Sequence, residues 1–231
     1  PSGASMFIDE VVSLTVELER ALPVGQVNSE KDSPYRLPLT KFLNRHASLA
    51  VDYFLARLTV KKHFIRFMHI IRSDAGQPLR DELSNSPRKI LVSAFPEYIP
   101  KSRVLITPND VDVAGSSNVD SNLTLDVPFT TSDAYFQGLA LLKTLVKRVP
   151  CWLQRNSDVF DTLSFIWKSP ARMKRLQNQD ELSLVQVKEN KWLMKCFICY
   201  YRHSTTEFNM LFEMASILLV RTPVDYTFLK K

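Results

Sequence analysis

Apolar residues recur along this chain at steps of three and four positions, and this periodicity constrains the fold more than any other feature. Such spacing places the apolar side chains of each segment on one stripe of an α-helix. The pattern is clearest in two segments, which contain Val51, Phe54, Leu55 and Leu58, and Leu139, Leu142, Leu145, Val146 and Val149. Strand-like alternation is scarce. The sequence therefore predicts an all-α protein.

Prolines and short polar joints divide the chain into successive helices, since proline stops a helix or begins one but rarely continues it. The chain contains 13 prolines and only 5 glycines. In the first half we expect helices at 5–22, from Pro38, after a break near His46, at 61–72, and from Pro78 and Pro87. In the second half we expect helices at 135–149, 157–167, 191–203 and 208–220, and a basic amphipathic stretch over 170–178. The predicted buried stripe of the first helix comprises Phe7, Val11, Leu14 and Leu18.

The helical pattern disappears between residues 97 and 131, where proline, glycine, serine and asparagine predominate. Structureless segments of this length are uncommon inside compact domains and usually mark insertions or binding loops. We predict a polar surface insertion at 97–131, with a brief extended segment at 123–127. The domain organisation is then helical repeats at 1–96, the insertion, and further helical repeats at 132–231.

Paired antiparallel helices recurring at roughly 40 residues are typical of HEAT and armadillo arrays. We therefore predict an α-solenoid of antiparallel helix pairs, with a single helical bundle as the alternative. The chain begins at Pro1 without a methionine and ends within a helical pattern at Lys231. On this basis we expect a fragment of a longer array.

Charge and hydropathy favour a soluble protein in a reducing compartment. The 30 basic and 24 acidic residues give a net charge of +6, but the basic residues are scattered and form no long run. Direct nucleic-acid binding is therefore not expected. The longest strongly apolar run, 217–220, is far shorter than the roughly 20 residues of a membrane span. Three cysteines, an odd number, do not form a disulfide framework.

A metal site is the first chemical possibility to consider. Cys196, Cys199 and His203 have the i, i+3, i+7 spacing of one helix face, but a structural zinc site needs a fourth ligand and Cys151 is distant in sequence. Core packing is the favoured interpretation, because free cysteine is commonly buried. The other histidines, His46, His63 and His69, share no metal-binding spacing.

An enzyme active site is not predicted. The chain contains no G-x-S-x-G elbow, no phosphate-binding glycine loop and no kinase H-R-D or D-F-G signature. Asp81 and Glu82 follow Pro78 in what we expect to be a first helical turn, where the helix dipole favours negative charge. We therefore predict no catalytic, cofactor-binding or metal-binding residues, and no cofactor.

Several segments together resemble the TRRAP family, the large pseudokinase scaffolds related to phosphatidylinositol-kinase-like kinases. They are SPYRLPLTKFLNRH at 33–46, AVDYF at 50–54, PLRDEL at 78–83, NSPRKI at 85–90, CWL at 151–153, Trp167, RMKR at 172–175, Trp192 with LMKC at 193–196, YYR at 200–202, LF at 211–212 and TFLK at 227–230. Their order and spacing carry the resemblance, which fails between residues 97 and 131.

The resemblance implies a segment of a HEAT-repeat region in a nuclear, non-catalytic transcription coactivator that recruits histone acetyltransferase complexes such as SAGA to activators. The implied partners are other subunits of those complexes and transcription activators. Three alternatives stay open on the residues. The first two are a HEAT arm of an active kinase of the related family and a nuclear transport receptor. The third, a basic helical module that binds nucleic acid, ranks last because no aromatic-plus-basic recognition pattern appears.

Overall fold

The computed structural model describes residues 3–23, 33–98, 133–170, 172 and 184–202. These residues form ten α-helices and one short 3-10 turn, Pro96–Tyr98, with no strand among them. In chain order the helices are α1 (Gly3–Arg20), α2 (Arg36–Arg45), α3 (Ala47–Leu55), α4 (Lys61–Arg72), α5 (Gln77–Asn85), α6 (Pro87–Ala94), α7 (Asp133–Arg148), α8 (Trp152–Arg155), α9 (Ser157–Trp167) and α10 (Leu184–Tyr201).

Proline and glycine set several helix boundaries. Pro78 and Pro87 lie in the first turns of α5 and α6, where a missing backbone N–H breaks no helical hydrogen bond. Gly76 precedes α5 and packs against the end of α4 so closely that a Cβ there would lie 1.9 Å from the carbonyl oxygen of Ile70. The tight joint between α4 and α5 therefore requires a residue without a side chain.

The helices stack in succession around one continuous apolar core. Helix α1 packs on α2 and α3, α3 on α5 and α6, α6 on α7 and α9, and α7 on α10. Within this core, the rings of Phe54 and Phe67 stack with their centroids 4.8 Å apart, and Phe95 meets Tyr135 edge to face at 5.6 Å. The fold is the predicted all-α solenoid of antiparallel helix pairs.

The crossing of α6 and α7 is unusually close. A Cβ on Gly138 would lie 2.3 Å from the Cβ of Ala94 and 2.9 Å from the ring of Phe95. Tyr98, at the end of the first group of helices, is buried and packs against Tyr135 and Phe165 of the second group. The two groups therefore share one core across the 97–131 segment.

Most predicted helix positions agree with the structure in the described ranges, although the short helix α8 is not among those predicted. Helices α4 and α9 have the predicted bounds, and α2 and α3 are separated by a break at His46. Helix α3 ends at Leu55, although Leu58 remains buried in the following turn. Helix α10 begins at Leu184, seven residues before the predicted start at Lys191.

The predicted buried face of α1 is wrong. Phe7, Leu14 and Leu18 are exposed, whereas Ile8 and Val12 are fully buried against the neighbouring helices. Two apolar stripes compete on this helix, and periodicity alone cannot decide which of them faces α2 and α3. Val11 is half-buried against the core, and the exposed ring of Phe7 meets Phe42 of α2 edge to face at 5.4 Å.

Some predictions lie outside the described residues. These are the 208–220 helix, the extended segment at 123–127, residues 99–131 of the insertion, and the 170–178 stretch apart from Pro170 and Arg172.

Candidate functional site

Arg172 is the centre of a polar network inside the helical stack. Its side chain is only 2% exposed, as is that of Glu189 on α10. The guanidinium donates from Nε to Oε1 of Glu189 at 3.3 Å, and from a terminal nitrogen to the backbone oxygen of Trp167 at 3.0 Å. Its other terminal nitrogen donates to the side-chain oxygen of Asn190. The charge of Arg172 is thus satisfied by two helices.

Tyr135 of α7 completes the network. Its hydroxyl donates to the same Oε1 of Glu189 at 2.9 Å. Burial raises the pKa of Tyr135 well above its ordinary value, and the Glu189 charge raises it further. The phenol therefore stays protonated and acts as a donor, so the network connects α7, the chain after α9, and α10.

A second buried ion pair connects α1 with α4. Both terminal nitrogens of Arg66 donate to the carboxylate of Glu19, at 2.6 and 3.2 Å, and the two side chains are 5% and 13% exposed. Burial acts most strongly on the pKa of Glu19 and raises it, but hydrogen bonds from Arg66 and Ser33 and the Arg66 charge bring it below its ordinary value. The pair therefore stays ionised.

A third polar group lies between α1, α3 and α4. The hydroxyl of Tyr53 donates to Asp9 at 2.8 Å, and the guanidinium of Arg57 lies 3.7 Å from the centre of the Tyr53 ring. The ring of His63 meets Tyr53 edge to face at 5.6 Å. Burial lowers the pKa of His63, and the positive charge of Arg57 lowers it further. The lowered pKa favours neutral imidazole at neutral pH.

A buried hydrogen bond joins the first group of helices to the second. The indole nitrogen of Trp152, in α8, donates to the backbone oxygen of Ser84 in α5 at 2.8 Å. Cys151 immediately before it has a φ of 56°, in the left-handed region that is uncommon for a residue with a side chain. The strained turn aims the indole into the core.

The cysteines and histidines singled out by their spacing do not come together as a site in the described chain. Cys196 is buried, and burial followed by the neighbouring Cys199 raises the pKa of its thiol to about 12, as expected for core packing. Cys151 is exposed and Cys199 half-buried, while His203 lies outside the described residues. In the described ranges no three His, Cys, Asp or Glu residues could hold a metal ion.

The remaining predicted positions have structural explanations. His46 is exposed with its ring against Phe42, and His69 is half-buried on α4. Asp81 and Glu82 lie in the second turn of α5 rather than the first, because the helix already begins at Gln77. The proposed dipole explanation for these two carboxylates is therefore wrong.

The arrangement is suited to holding helices at fixed positions. Each buried charged or hydrogen-bonded group described above joins two or more helices, and buried polar groups of this kind strongly favour one packing arrangement when all are satisfied. Among the described helices, none is both long and apolar enough to cross a bilayer.

The sequence did not predict that Arg172, Glu189 and Asn190 are interior residues. The sequence pattern places Arg172 in a basic amphipathic stretch, and the other two lie on a helix that begins earlier than predicted. Glu189 and Asn190 are 17 and 18 positions from Arg172 in the chain, which matches no helical spacing. Only the three-dimensional packing brings them together.

The whole chain, residues 1–231, matches the family described as the Tra1 HEAT repeat ring region. Transformation/transcription domain-associated protein of Danio rerio is 26% identical over 233 residues, which cover 100% of this chain and 6% of that protein. Probable transcription-associated protein 1 of Dictyostelium discoideum is 25% identical over 228 residues, covering 98% of this chain and 4% of that protein.

A yeast relative is named SAGA complex/NuA4 acetyltransferase complex subunit TRA1, from Saccharomyces cerevisiae. It is 28% identical over 109 residues, which cover 46% of this chain and 3% of that protein. The chain thus spans less than a tenth of the length of these curated relatives. No solved structure matches it.

The stacked helices, the shared core and the match over every residue agree with one another. The matched region is a HEAT repeat region of transcription-associated proteins and not a kinase domain. The chain belongs to the family of the Tra1 HEAT repeat ring region.

Proposed function

We propose that this chain is a non-catalytic scaffold segment of a nuclear transcription coactivator that recruits histone acetyltransferase complexes to activators. Its partners would be other subunits of those complexes and transcription activators. The observation that carries the proposal is the family match over all 231 residues, since one yeast relative is named as a SAGA and NuA4 subunit.

The packing supports a scaffold in physical terms. In a solenoid each helix pair contacts its neighbours directly, so this series of contacts fixes the distance between helices that are far apart. The buried pairs Arg172–Glu189 and Arg66–Glu19 each join separate helices, so they resist sliding of one helix on the next. A rigid curved framework of this kind can hold several proteins at defined distances.

The domain organisation and the absence of reacting groups form part of the same proposal. The segments 1–96 and 132–231 would act as one helical framework, with 97–131 as a polar surface insertion apart from Tyr98, which is buried in the core. The chain would contribute no catalytic, cofactor-binding or metal-binding residue. Contacts with partners would then come from exposed side chains on the helices and from the insertion.

Cross-linking mass spectrometry of purified histone acetyltransferase complexes tests the proposal. We expect peptides of this chain to cross-link to other subunits, and exposed lysines such as Lys61 and Lys168 supply the reactive amines. If the chain is absent from purified complexes, the scaffold function is refuted. Cross-links confined to other segments of its own polypeptide would also contradict it.

A further inference from the structure

Three helices bring six basic side chains to one face of the molecule, which we call the cationic ridge. Its members are Arg72 on α4, Lys143, Lys147 and Arg148 on α7, and Lys188 and Lys195 on α10. Arg72 reaches across to the Thr144 hydroxyl of α7 at 3.4 Å, and α7 packs along α10. The ridge therefore crosses three elements that are far apart in sequence.

The indole of Trp192 fixes the middle of the ridge. The ammonium of Lys143 lies 5.1 Å from its ring centre, and that of Lys188 lies 4.8 Å away. Two positive charges from different helices thus flank one aromatic ring, which attracts each of them through its quadrupole. This interaction holds the cations close together despite their mutual repulsion.

The electrostatic environment of the ridge is positive. Burial lowers the pKa of Lys143, and the charges of Lys195, Arg72 and Lys147 lower it further. Burial also lowers the pKa of Arg72, and the charge of Arg148 lowers it further. Within the described part of the chain, none of the six side chains forms an ion pair with a carboxylate. Close cations without paired anions favour the binding of a polyanion.

The surface chemistry distinguishes two kinds of polyanion. An acidic peptide usually gains most of its affinity by inserting a few apolar or aromatic anchors into pockets. Among the large apolar residues exposed in the described chain, none lies on α7, Leu184 and Val185 lie in the first turn of α10, and Ile65 lies on α4 seven positions before Arg72. A ridge that offers six charges at its centre, with its exposed apolar residues towards the helix starts, suits a ligand that binds mainly through charge, as the phosphate backbone of DNA does.

We propose that the cationic ridge binds the phosphate backbone of double-stranded DNA without reading its sequence. This goes beyond the scaffold function and can fail without affecting it. It also departs from the expectation drawn from the sequence, which rested on the lack of a basic run and of an aromatic recognition pattern. The ridge needs neither feature, because three helices assemble it and no base is contacted.

The test compares two charge-reversal variants of the full-length protein. The ridge variant carries Lys147→Glu, Arg148→Glu and Lys188→Glu; the control carries Arg45→Glu, Lys61→Glu and Lys62→Glu. All six side chains are exposed, and both variants replace two lysines and one arginine. Binding of a fluorescent duplex of about 30 base pairs, in two unrelated sequences, is measured by anisotropy between roughly 50 and 300 mM salt.

We expect both duplexes to bind equally and with strong salt dependence. Each lost phosphate contact lowers the slope of log affinity against log salt by about 0.9, so the ridge variant should lose about 3 units and bind on the order of 100-fold more weakly at about 0.1 M salt. The control should keep the wild-type slope. DNA should also slow hydrogen exchange in α7 and α10 of the wild-type protein.

Three results would overturn the proposal. The first is an equal loss of binding in the two variants, and the second is no change in exchange of α7 and α10 on adding DNA. The third is displacement of the duplex by poly-glutamate at an equal concentration of charge. That result would assign the ridge to an acidic polypeptide instead. Unchanged exchange in the other helices of the ridge variant shows that it is folded.

Discussion

Replacing Glu189 by glutamine is the sharpest test of the buried network, because it removes one charge while preserving the shape of the side chain. The new amide oxygen would still accept a hydrogen bond from Tyr135, so packing changes little. Arg172, which is 2% exposed, would keep its buried positive charge and lose the carboxylate of Glu189. The substitution therefore isolates the electrostatic part of the contact.

The magnitude follows from the surroundings of Arg172. Breaking a buried ion pair by removing one partner costs about 3–5 kcal/mol. The guanidinium keeps the backbone oxygen of Trp167, the side chain of Asn190 and the Trp167 ring, whose centre lies 4.3 Å away. These remaining contacts reduce the loss of stability, so we expect the lower limit of that range, about 3 kcal/mol. This free energy corresponds to a change on the order of 100-fold in the equilibrium constant for local opening.

Hydrogen-exchange mass spectrometry of the full-length protein measures this opening. Amides in α7 and α10 should exchange on the order of 100-fold faster in Glu189→Gln, since both helices lose the same anchor. The matched control is Glu17→Gln, whose pair with Arg20 is exposed by 66% and 62% and should contribute little. Adding Arg172→Met to Glu189→Gln removes the buried charge as well and should restore much of the protection.

The reasoning is refuted if Glu189→Gln alters exchange no more than Glu17→Gln does. It is also refuted if the double variant opens more readily than the single one, because the buried charge of Arg172 would then not be the cause.

Three further outcomes are expected. Gly138→Ala should destabilise the fold by about 1–3 kcal/mol, although alanine normally favours helices, because its Cβ would overlap that of Ala94; a thermal melt at or above the wild-type temperature would contradict the close crossing. The ion pair of Glu19, whose folded pKa lies below its ordinary 4.5, stabilises α1 above that value and should lose this contribution as pH falls through the folded pKa. Exchange of α1, corrected for intrinsic rates, should show this pH dependence in the wild type and not in Glu19→Gln. Iodoacetamide at about pH 8 should alkylate exposed Cys151 and spare buried Cys196, whose thiol pKa is about 12; equal labelling under native conditions would show that α10 is not packed as described.

Helix positions could be predicted from the sequence because they depend on local signals. The period of the apolar residues and the prolines at 78 and 87 define α4, α5 and α6 within a few residues. The face of α1 could not be predicted, because both stripes are apolar and only the neighbouring helices select Ile8 and Val12.

The buried network and the cationic ridge could not be predicted from the sequence for a different physical reason. Arg172 and Glu189 are interior because helices distant in sequence enclose them, and no local spacing indicates this. Lys143 and Lys188 lie 45 positions apart and share one indole only after α7 packs on α10. Scattered basic residues in the sequence therefore became a single charged face in the fold.

The contact between Tyr98 and Tyr135, whose ring centres are 6.2 Å apart, has an evolutionary consequence for the segment between them. The two attachment points are held together by the core itself, so added length in a surface insertion of the predicted kind would cost only closure entropy, about 0.6 kcal/mol for each doubling. Under that prediction, lineages could enlarge, shorten or diversify this stretch without disturbing the framework. An experimenter can use the same tolerance to introduce an affinity tag or a fluorescent domain there.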